Sequence, residues 1–265
     1  MKTIKNLLLL SLLLLSAASF KANAADKELV VMTYNIRAGS LTSIDSLADF
    51  INSHHPDFVA LQEVDVMTKR ANAKKMNGIN IVSALAARTN MFGYFGKALN
   101  FAGGYYGIAI LSRHPCKKME CFQLPNPKQT EQRVLLLGKF EIDGKREMAF
   151  ACTHLDVKSA ETRGLQADFI INKIKGVSLP TIIGGDFNAY PEELCSLKFH
   201  AAMTDISGCE PTFPAWSPDR KIDYLFVYAP SPSFKPHFST TTLPDQLSDH
   251  RAIVAKLKLS DLLQP

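Results

Sequence analysis

Leu247-Ser248-Asp249-His250-Arg251, near the C-terminus, closes a series of polar residues that begins far upstream. Asn35 lies in Thr-Tyr-Asn, Glu63 in Leu-Gln-Glu-Val-Asp and His154 in Thr-His-Leu-Asp. Asp186 and Asn188 lie in Gly-Gly-Asp-Phe-Asn-Ala, and Asp223 in Ile-Asp-Tyr. Each follows, or interrupts the end of, a β-like apolar run. Carboxylates, carboxamides and imidazoles spaced this way converge only if their strands lie side by side. Metal-assisted phosphoester hydrolysis requires such a cluster.

The residue types suggest a division of labour. Glu63 ends the run Phe58-Val59-Ala60-Leu61, and a carboxylate at a strand end can hold a hard cation such as Mg²⁺ through oxygen. Asn35 could orient a phosphate, a water or Glu63 itself. Two glycines before Asp186 let the backbone pass close to something. Asp186 is the candidate general base or water-positioning group, and Asn188 the group that steadies phosphoryl oxygens. His154 is the expected donor to a phosphate oxygen. Asp223 is paired with His250, because an Asp–His pair fixes a tautomer and supports imidazolium; Asp249 is left to face the metal. No Gly-x-Ser-x-Gly elbow, P-loop lysine motif or His-Glu-x-x-His run is present, which argues against serine hydrolases, nucleotide kinases and zincins.

The elements that must position these groups follow from apolar periodicity. Strand-like runs occur at 28–35, 57–62, 105–112, 132–142, 146–153, 180–184, 222–228 and 250–257. Several are too uniformly apolar to have one wet face, such as Thr181-Ile182-Ile183 and Leu225-Phe226-Val227, so both faces should be covered. Helical spacing fits 43–53, 77–89 and 159–175. In the last, Leu165, Phe169, Ile170 and Ile174 form the apolar stripe and Ser159 is a plausible N-cap. Glu141-Ile142-Asp143-Gly144-Lys145 reads as a hairpin turn. Strands and helices mix throughout, which predicts two packed mixed sheets with helices outside.

Composition limits the setting. Lys2 and Lys5, the leucine-rich run 7–15 and Ala22-Asn23-Ala24 have the form of a secretory signal over 1–24. Its apolar core is short for a bilayer span, so no stable membrane span is expected after cleavage. The remaining 25–265 fits one large domain. Of the formal charge of +5, Lys2, Lys5 and Lys21 supply three, leaving +2 for the mature chain, which is not a nucleic-acid signature. Five cysteines form no CxxC pair. Free thiols are the expectation, with Cys195–Cys209 the candidate bridge in an exported protein.

Seven runs carry a resemblance: TYNIRAG (33–39), LQEVD (61–65), YGIAILSR (106–113), THLD (153–156), GGDFNA (184–189), KIDYLFV (221–227) and LSDHRAI (247–253). In this order they resemble the endonuclease/exonuclease/phosphatase superfamily of DNase I-like fold. The resemblance implies a four-layer α/β/β/α sandwich and a divalent-metal phosphoesterase using Mg²⁺, with Mn²⁺ as the alternative. It implies metal roles for Glu63, Asp249 and Asn35, substrate binding by Asn35, and catalytic roles for His154, Asp186, Asn188, Asp223 and His250. Thr68-x-Arg70, FGK (95–97), GGYYG (103–107) and Arg163-x-x-Gln166 look like a small exported bacterial subgroup. That subgroup is similar to the C-terminal hydrolase domain of proteins linked to glycosylphosphatidylinositol remodelling. Arg70 and Arg133 are candidates for gripping substrate phosphate, with structural ion pairs as the alternative.

The expected substrate is thus a small or lipid-derived phosphoester met in the periplasm or outside the cell, handled by a monomer. A secreted DNase I-type nuclease would share the chemistry but should add basic or aromatic groove loops; the single Trp, Trp216, is the one candidate for stacking. A non-catalytic binding module on the same scaffold would have lost metal or His positions, and none is lost.

Overall fold

The computed structural model describes residues 27–144, 146–230 and 236–263. The signal sequence expected over 1–24 lies outside these residues. Among the described residues no helix is long and apolar enough to cross a membrane.

Strands β1 (Glu28–Asn35), β2 (Phe58–Val66), β3 (Phe92–Phe101), β4 (Gly104–Ser112), β11 (Phe238–Thr242) and β12 (Ile253–Lys258) form one six-stranded sheet, in the order β11-β12-β1-β2-β4-β3. Strands β5 (Cys116–Gln123), β6 (Val134–Glu141), β7 (Glu147–His154), β8 (Thr181–Asp186), β9 (Thr204–Asp205) and β10 (Asp223–Tyr228) form the other, in the order β5-β6-β7-β8-β10-β9. Each sheet has a parallel pair at its centre, β1 with β2 and β7 with β8, and antiparallel partners outside it. The parallel pairs need crossovers, supplied by helices α1 (Ile44–Ser53) and α3 (Ala160–Val177). Helices α2 (Ile81–Thr89), α4 (Leu194–Ala202) and the short α5 (Leu259–Leu262) complete the set. Ser43, Asn80 and Ser159 cap α1, α2 and α3, each accepting a backbone N–H three residues on.

Three apolar clusters make the four layers. Phe58, Ala60 and Ile110 of one sheet meet Phe150, Ile182 and Leu225 of the other. Their strand neighbours Val59, Leu61 and Ala109 point outward onto α1 and α2, and Ala151, Ile183 and Phe226 onto α3 and α4. Both faces of the central strands are therefore covered, which is why their sequences show no wet face. The expected α/β/β/α sandwich is the observed architecture.

Several expectations need correction. β3, β5, β9 and β11 and helix α4 were not anticipated. All four strands are sheet edges, where polar side chains interrupt the apolar run. Leu165 does not join the α3 stripe but stands exposed, while Ala167, Ile170, Ile171 and Ile174 are buried. The turn at 141–145 joins β6 to β7 in register at Glu141 and Glu147, with Ile142 N–H donating to Arg146 O and Gly144 at φ 78°; Lys145 lies outside the described residues. Cys195 is buried and Cys209 exposed, both as free thiols, so the pair does not form the candidate bridge.

The two glycines before Asp186 have specific neighbours. A Cβ on Gly184 would lie 3.0 Å from Thr33 and Ala60 of the opposite sheet. A Cβ on Gly185 would lie 2.4 Å from the Thr153 carbonyl oxygen in the adjoining strand. Gly185→Ala should therefore destabilise the fold by about 1–3 kcal/mol in chemical denaturation. Gly176→Ala, in α3 where an added Cβ meets nothing within 4 Å, should instead stabilise it by about 0.5–1 kcal/mol. Equal behaviour of the two variants would contradict this packing.

Candidate active site

Parallel strands present their C-terminal ends together, and antiparallel neighbours present their beginnings at the same edge. β1 ends at Asn35, β7 at His154 and β8 at Asp186; β10 begins at Asp223, and His250 precedes β12. In the ladder, His154 is paired with Asp186 and Asp186 with Asp223, so three functional side chains stand in one row across β7, β8 and β10. Glu63 joins them from the other sheet. It is the extra residue of a β-bulge in β2, with φ 54°, and that left-handed turn re-aims its carboxylate. Together they border a cleft of about 390 Å³ lined by Glu63, His154, Asp186, Asn188, Asp249 and His250, and by Arg70, Arg133 and Tyr106.

Asp186 is the hub. Its Oδ1 accepts the Asn188 N–H at 2.9 Å, and its Oδ2 accepts from Asn35 Nδ2 at 3.0 Å. His154 Nε2 lies 3.4 Å and His250 Nε2 3.7 Å from the same Oδ2. Asn35 also donates to Glu63 Oε1 at 3.1 Å, while its own Oδ1 accepts the Arg37 N–H at 3.0 Å. Asn35 thus orients Glu63 and Asp186, and its carboxamide oxygen is engaged. Orienting Glu63 is one of the roles foreseen for Asn35.

The two imidazoles differ in their partners. His250 Nδ1 is 2.9 Å from Asp223 Oδ2, the pairing expected from sequence. Thr212 Oγ1 donates to the same oxygen at 2.5 Å. Burial acts to lower the His250 pKa, but the carboxylates of Asp223, Asp186 and Asp249 outweigh it and raise it to about 10. His154 Nδ1 faces Arg133 Nη1 at 2.9 Å. Burial, then Arg133, then His250 hold His154 well below the usual histidine range.

Other expected residues line the cleft with partners of their own. Arg70 lines the cleft, but its fork is bound to Asp65 at 2.8 and 2.9 Å and its guanidinium lies 4.4 Å above the Phe101 ring. Its charge is thus largely spent on Asp65, the structural alternative foreseen for it. Arg133 is buried between His154 and Glu131, which is 3.1 Å from Nη1. Asn188 borders the cleft with its Nδ2 donated to Leu155 O at 3.1 Å. Asp249 faces the cleft and pairs with Arg37 at 3.3 Å. Trp216, the candidate for stacking, is 59% exposed. Sequence reasoning did not single out Thr212, Glu131, Phe213 or Arg220, and it quoted Tyr106 only within a motif.

Two donor sets could bear on a cation. Asp186, Asp223 and His250 offer atoms within 4.8 Å of one another, yet the Asp223–His250 bond already balances charge there. Glu63 and Asp249 offer oxygens alone in the cleft wall, the chemistry that hard divalent ions prefer.

The Asp186 carboxyl is pushed up from 3.8 to about 7, chiefly by burial, with His250 opposing and Asp223 adding. The folded state therefore keeps a proton that the unfolded chain releases near 3.8. Stability from this group is complete below the unfolded value and is lost as pH rises through about 7. In chelator-treated protein that decline should appear between about pH 4 and pH 8 as a difference in unfolding free energy from Asp186→Asn, because His154, held below the usual histidine range, contributes the opposite slope. Asp186→Asn cannot ionise, and a difference that stays constant across that range would refute the assignment.

Comparison with known proteins agrees with the fold. The Endonuclease/Exonuclease/phosphatase family model matches residues 32–250. An endonuclease/exonuclease/phosphatase from Beutenbergia cavernae superimposes with a TM-score of 0.73 at 22% identity, covering 88% of this chain and 72% of that one. A mannosyl-6-phosphatase from Bacteroides thetaiotaomicron gives 0.69 at 18% identity, covering 86% and 99%. The human Nocturnin catalytic domain, solved with a bound sulfate anion, gives 0.69 at 19% identity, covering 87% and 93%. No curated protein matches by sequence. The family consists mostly of hydrolases acting on phosphoesters (phosphatases, phosphodiesterases and nucleases) and generally uses divalent metals. With the matching model spanning most of its length, the chain belongs to the endonuclease/exonuclease/phosphatase family.

Proposed function

We propose that this protein is an exported phosphodiesterase or phosphatase that hydrolyses a small or lipid-derived phosphoester with the aid of Mg²⁺ or Mn²⁺. The observation that carries the reading is the in-register row His154–Asp186–Asp223, met by Glu63, Asp249 and His250 around one cleft. The mature charge of +2 supports a small ester over a nucleic acid, as does the fold's likeness to a mannosyl-6-phosphatase. The basic, leucine-rich N-terminus with its Ala-Asn-Ala site supports export to the periplasm or medium.

Glu63 and Asp249 would hold the divalent ion, which supplies charge neutralisation on the phosphate when bound. Asn35 keeps Glu63 and Asp186 at fixed separation through its two N–H bonds. Asp186, with a carboxyl poised at about 7, orients the attacking water and accepts its proton. His154 and Asn188 face the phosphoryl oxygens, and His250, braced by Asp223, donates to the oxygen that becomes negative. The water attacks in line with the leaving oxygen. A monomer suffices, since all of these groups come from one chain.

Glu63→Gln keeps the size of the side chain but removes a formal charge. It should lower turnover on the order of 10³-fold, about 4 kcal/mol of transition-state stabilisation. The assay is a panel of plasmid DNA, RNA, an aryl phosphodiester, sugar and inositol phosphates, and phospholipids, with and without Mg²⁺. Cleavage of a small or lipid ester that is lost in the variant is the expected result. Metal-dependent nicking of plasmid with inert small esters would assign a secreted nuclease instead. Near-wild-type turnover by Glu63→Gln would remove Glu63 from the metal site.

A further inference from the structure

The two cleft histidines are held at the same ring position by opposite partners. His250 Nδ1 meets a carboxylate, which only accepts, so that nitrogen carries a proton. His154 Nδ1 meets Arg133 Nη1 at 2.9 Å. A guanidinium has five donors, no acceptor and does not deprotonate in proteins. A proton on His154 Nδ1 would therefore point at another proton in a site where neither side chain is more than 7% exposed. The His154 lone pair must lie on Nδ1, and the ring's one proton on Nε2.

That choice decides what the cleft receives. Nε2 is the nitrogen on the Asp186 side, 3.4 Å from Oδ2. Ionised phosphate oxygens accept hydrogen bonds and do not donate them. The Nε2–H form serves them; the other tautomer would present a lone pair to acceptors.

Arg133 is itself built in rather than placed at the rim. It immediately precedes β6, whose Leu135 pairs with Thr153 beside His154. Thr153 Oγ1 donates to the Val134 carbonyl at 3.2 Å, fixing the backbone next to it. Glu131 balances its charge from the cleft edge at 3.1 Å, and Tyr106 interacts with the same side chain. Its Nε is buried without a partner among the described residues. The guanidinium thus has little freedom to swing out toward substrate.

We propose that Arg133 is a positioning residue that locks His154 in its Nε2–H tautomer, so that His154 enters the cleft as a permanent neutral donor rather than as an acid. Arg133 acts through His154 and does not grip the phosphate. Only the kinetic consequence rests on the phosphoesterase reading, because the tautomer exists without substrate.

The test is ¹⁵N NMR of the histidine rings in the mature chain, with His154→Gln used to assign the signal. The wild type should show His154 at neutral pH with a protonated Nε2 and a bare Nδ1. Arg133→Lys retains a donor-only cation and should keep that pattern, with kcat within about tenfold of wild type. Arg133→Met should lose the single tautomer, and kcat should fall on the order of 10²-fold while KM moves by less than about threefold. A wild-type His154 carrying its proton on Nδ1, or on both nitrogens, overturns the proposal whatever the activity proves to be. So does an Arg133→Met protein that keeps the tautomer and loses only KM, the signature of a substrate grip. If Arg133→Met does not fold by circular dichroism, the wild-type and Arg133→Lys spectra still decide.

Discussion

The Asp186 carboxyl sits where two sheets close on each other, almost wholly withdrawn from solvent and open only to the cleft. Gly184 and Gly185 allow that closure, one against the opposite sheet and the other against the neighbouring strand. A buried carboxylate without compensation costs several kcal/mol, so the surroundings must answer it with hydrogen bonds and opposite charge. Asn35, the Asn188 N–H, His154 and His250 supply that answer. Those groups then need support of their own, from Arg133 for His154 and from Asp223 with Thr212 for His250. Much of the cleft is a hierarchy of contacts built outward from one buried carboxyl, and the chemistry uses what that hierarchy leaves facing the opening.

The sequence disclosed this centre better than its edges. All eight anticipated strands are interior to their sheets, and in most of them burial on both faces writes a largely apolar run. The four missed strands are the four sheet edges, and their short, charged, hydroxyl-rich or glycine-containing stretches carry no such pattern. Among site residues, acids and histidines at strand ends were readable because few other roles bring such groups to apolar runs. Thr212 and Glu131 were not, because a threonine in a loop or an acid beside an arginine has many ordinary explanations. The role of Asn35 was open among three choices, and only the positions of Glu63, Asp186 and the Arg37 N–H select one. Arg70 was open between a substrate grip and an ion pair, because Asp65, five residues earlier, gives no sign in the sequence of folding back to occupy its fork.

The family resemblance and the structural likenesses establish a scaffold that hosts several reactions. In this chain the cleft wall is aromatic and cationic on one side, with Arg70 over Phe101 and Tyr106, and Arg220 lies over Phe213 on the other. Phe101, Tyr105 and Met67 remain substantially exposed near the first wall. Their surfaces add an apolar border to the row of acids and histidines.

Arg37, Glu63 and Asn188 all hold the left-handed backbone conformation, with φ of 47°, 54° and 49°, where β1 has ended, where β2 bulges and where β8 has ended. Each such residue, unless glycine, works against its own Cβ by about 1–2 kcal/mol, less for asparagine. The protein therefore maintains its functional edge against a standing pull toward glycine. Screens for a hardier variant would be drawn to these very positions. Resilience gained there would come out of the geometry that aims Glu63 into the cleft, so durability in this molecule is better sought at the opposite ends of the strands.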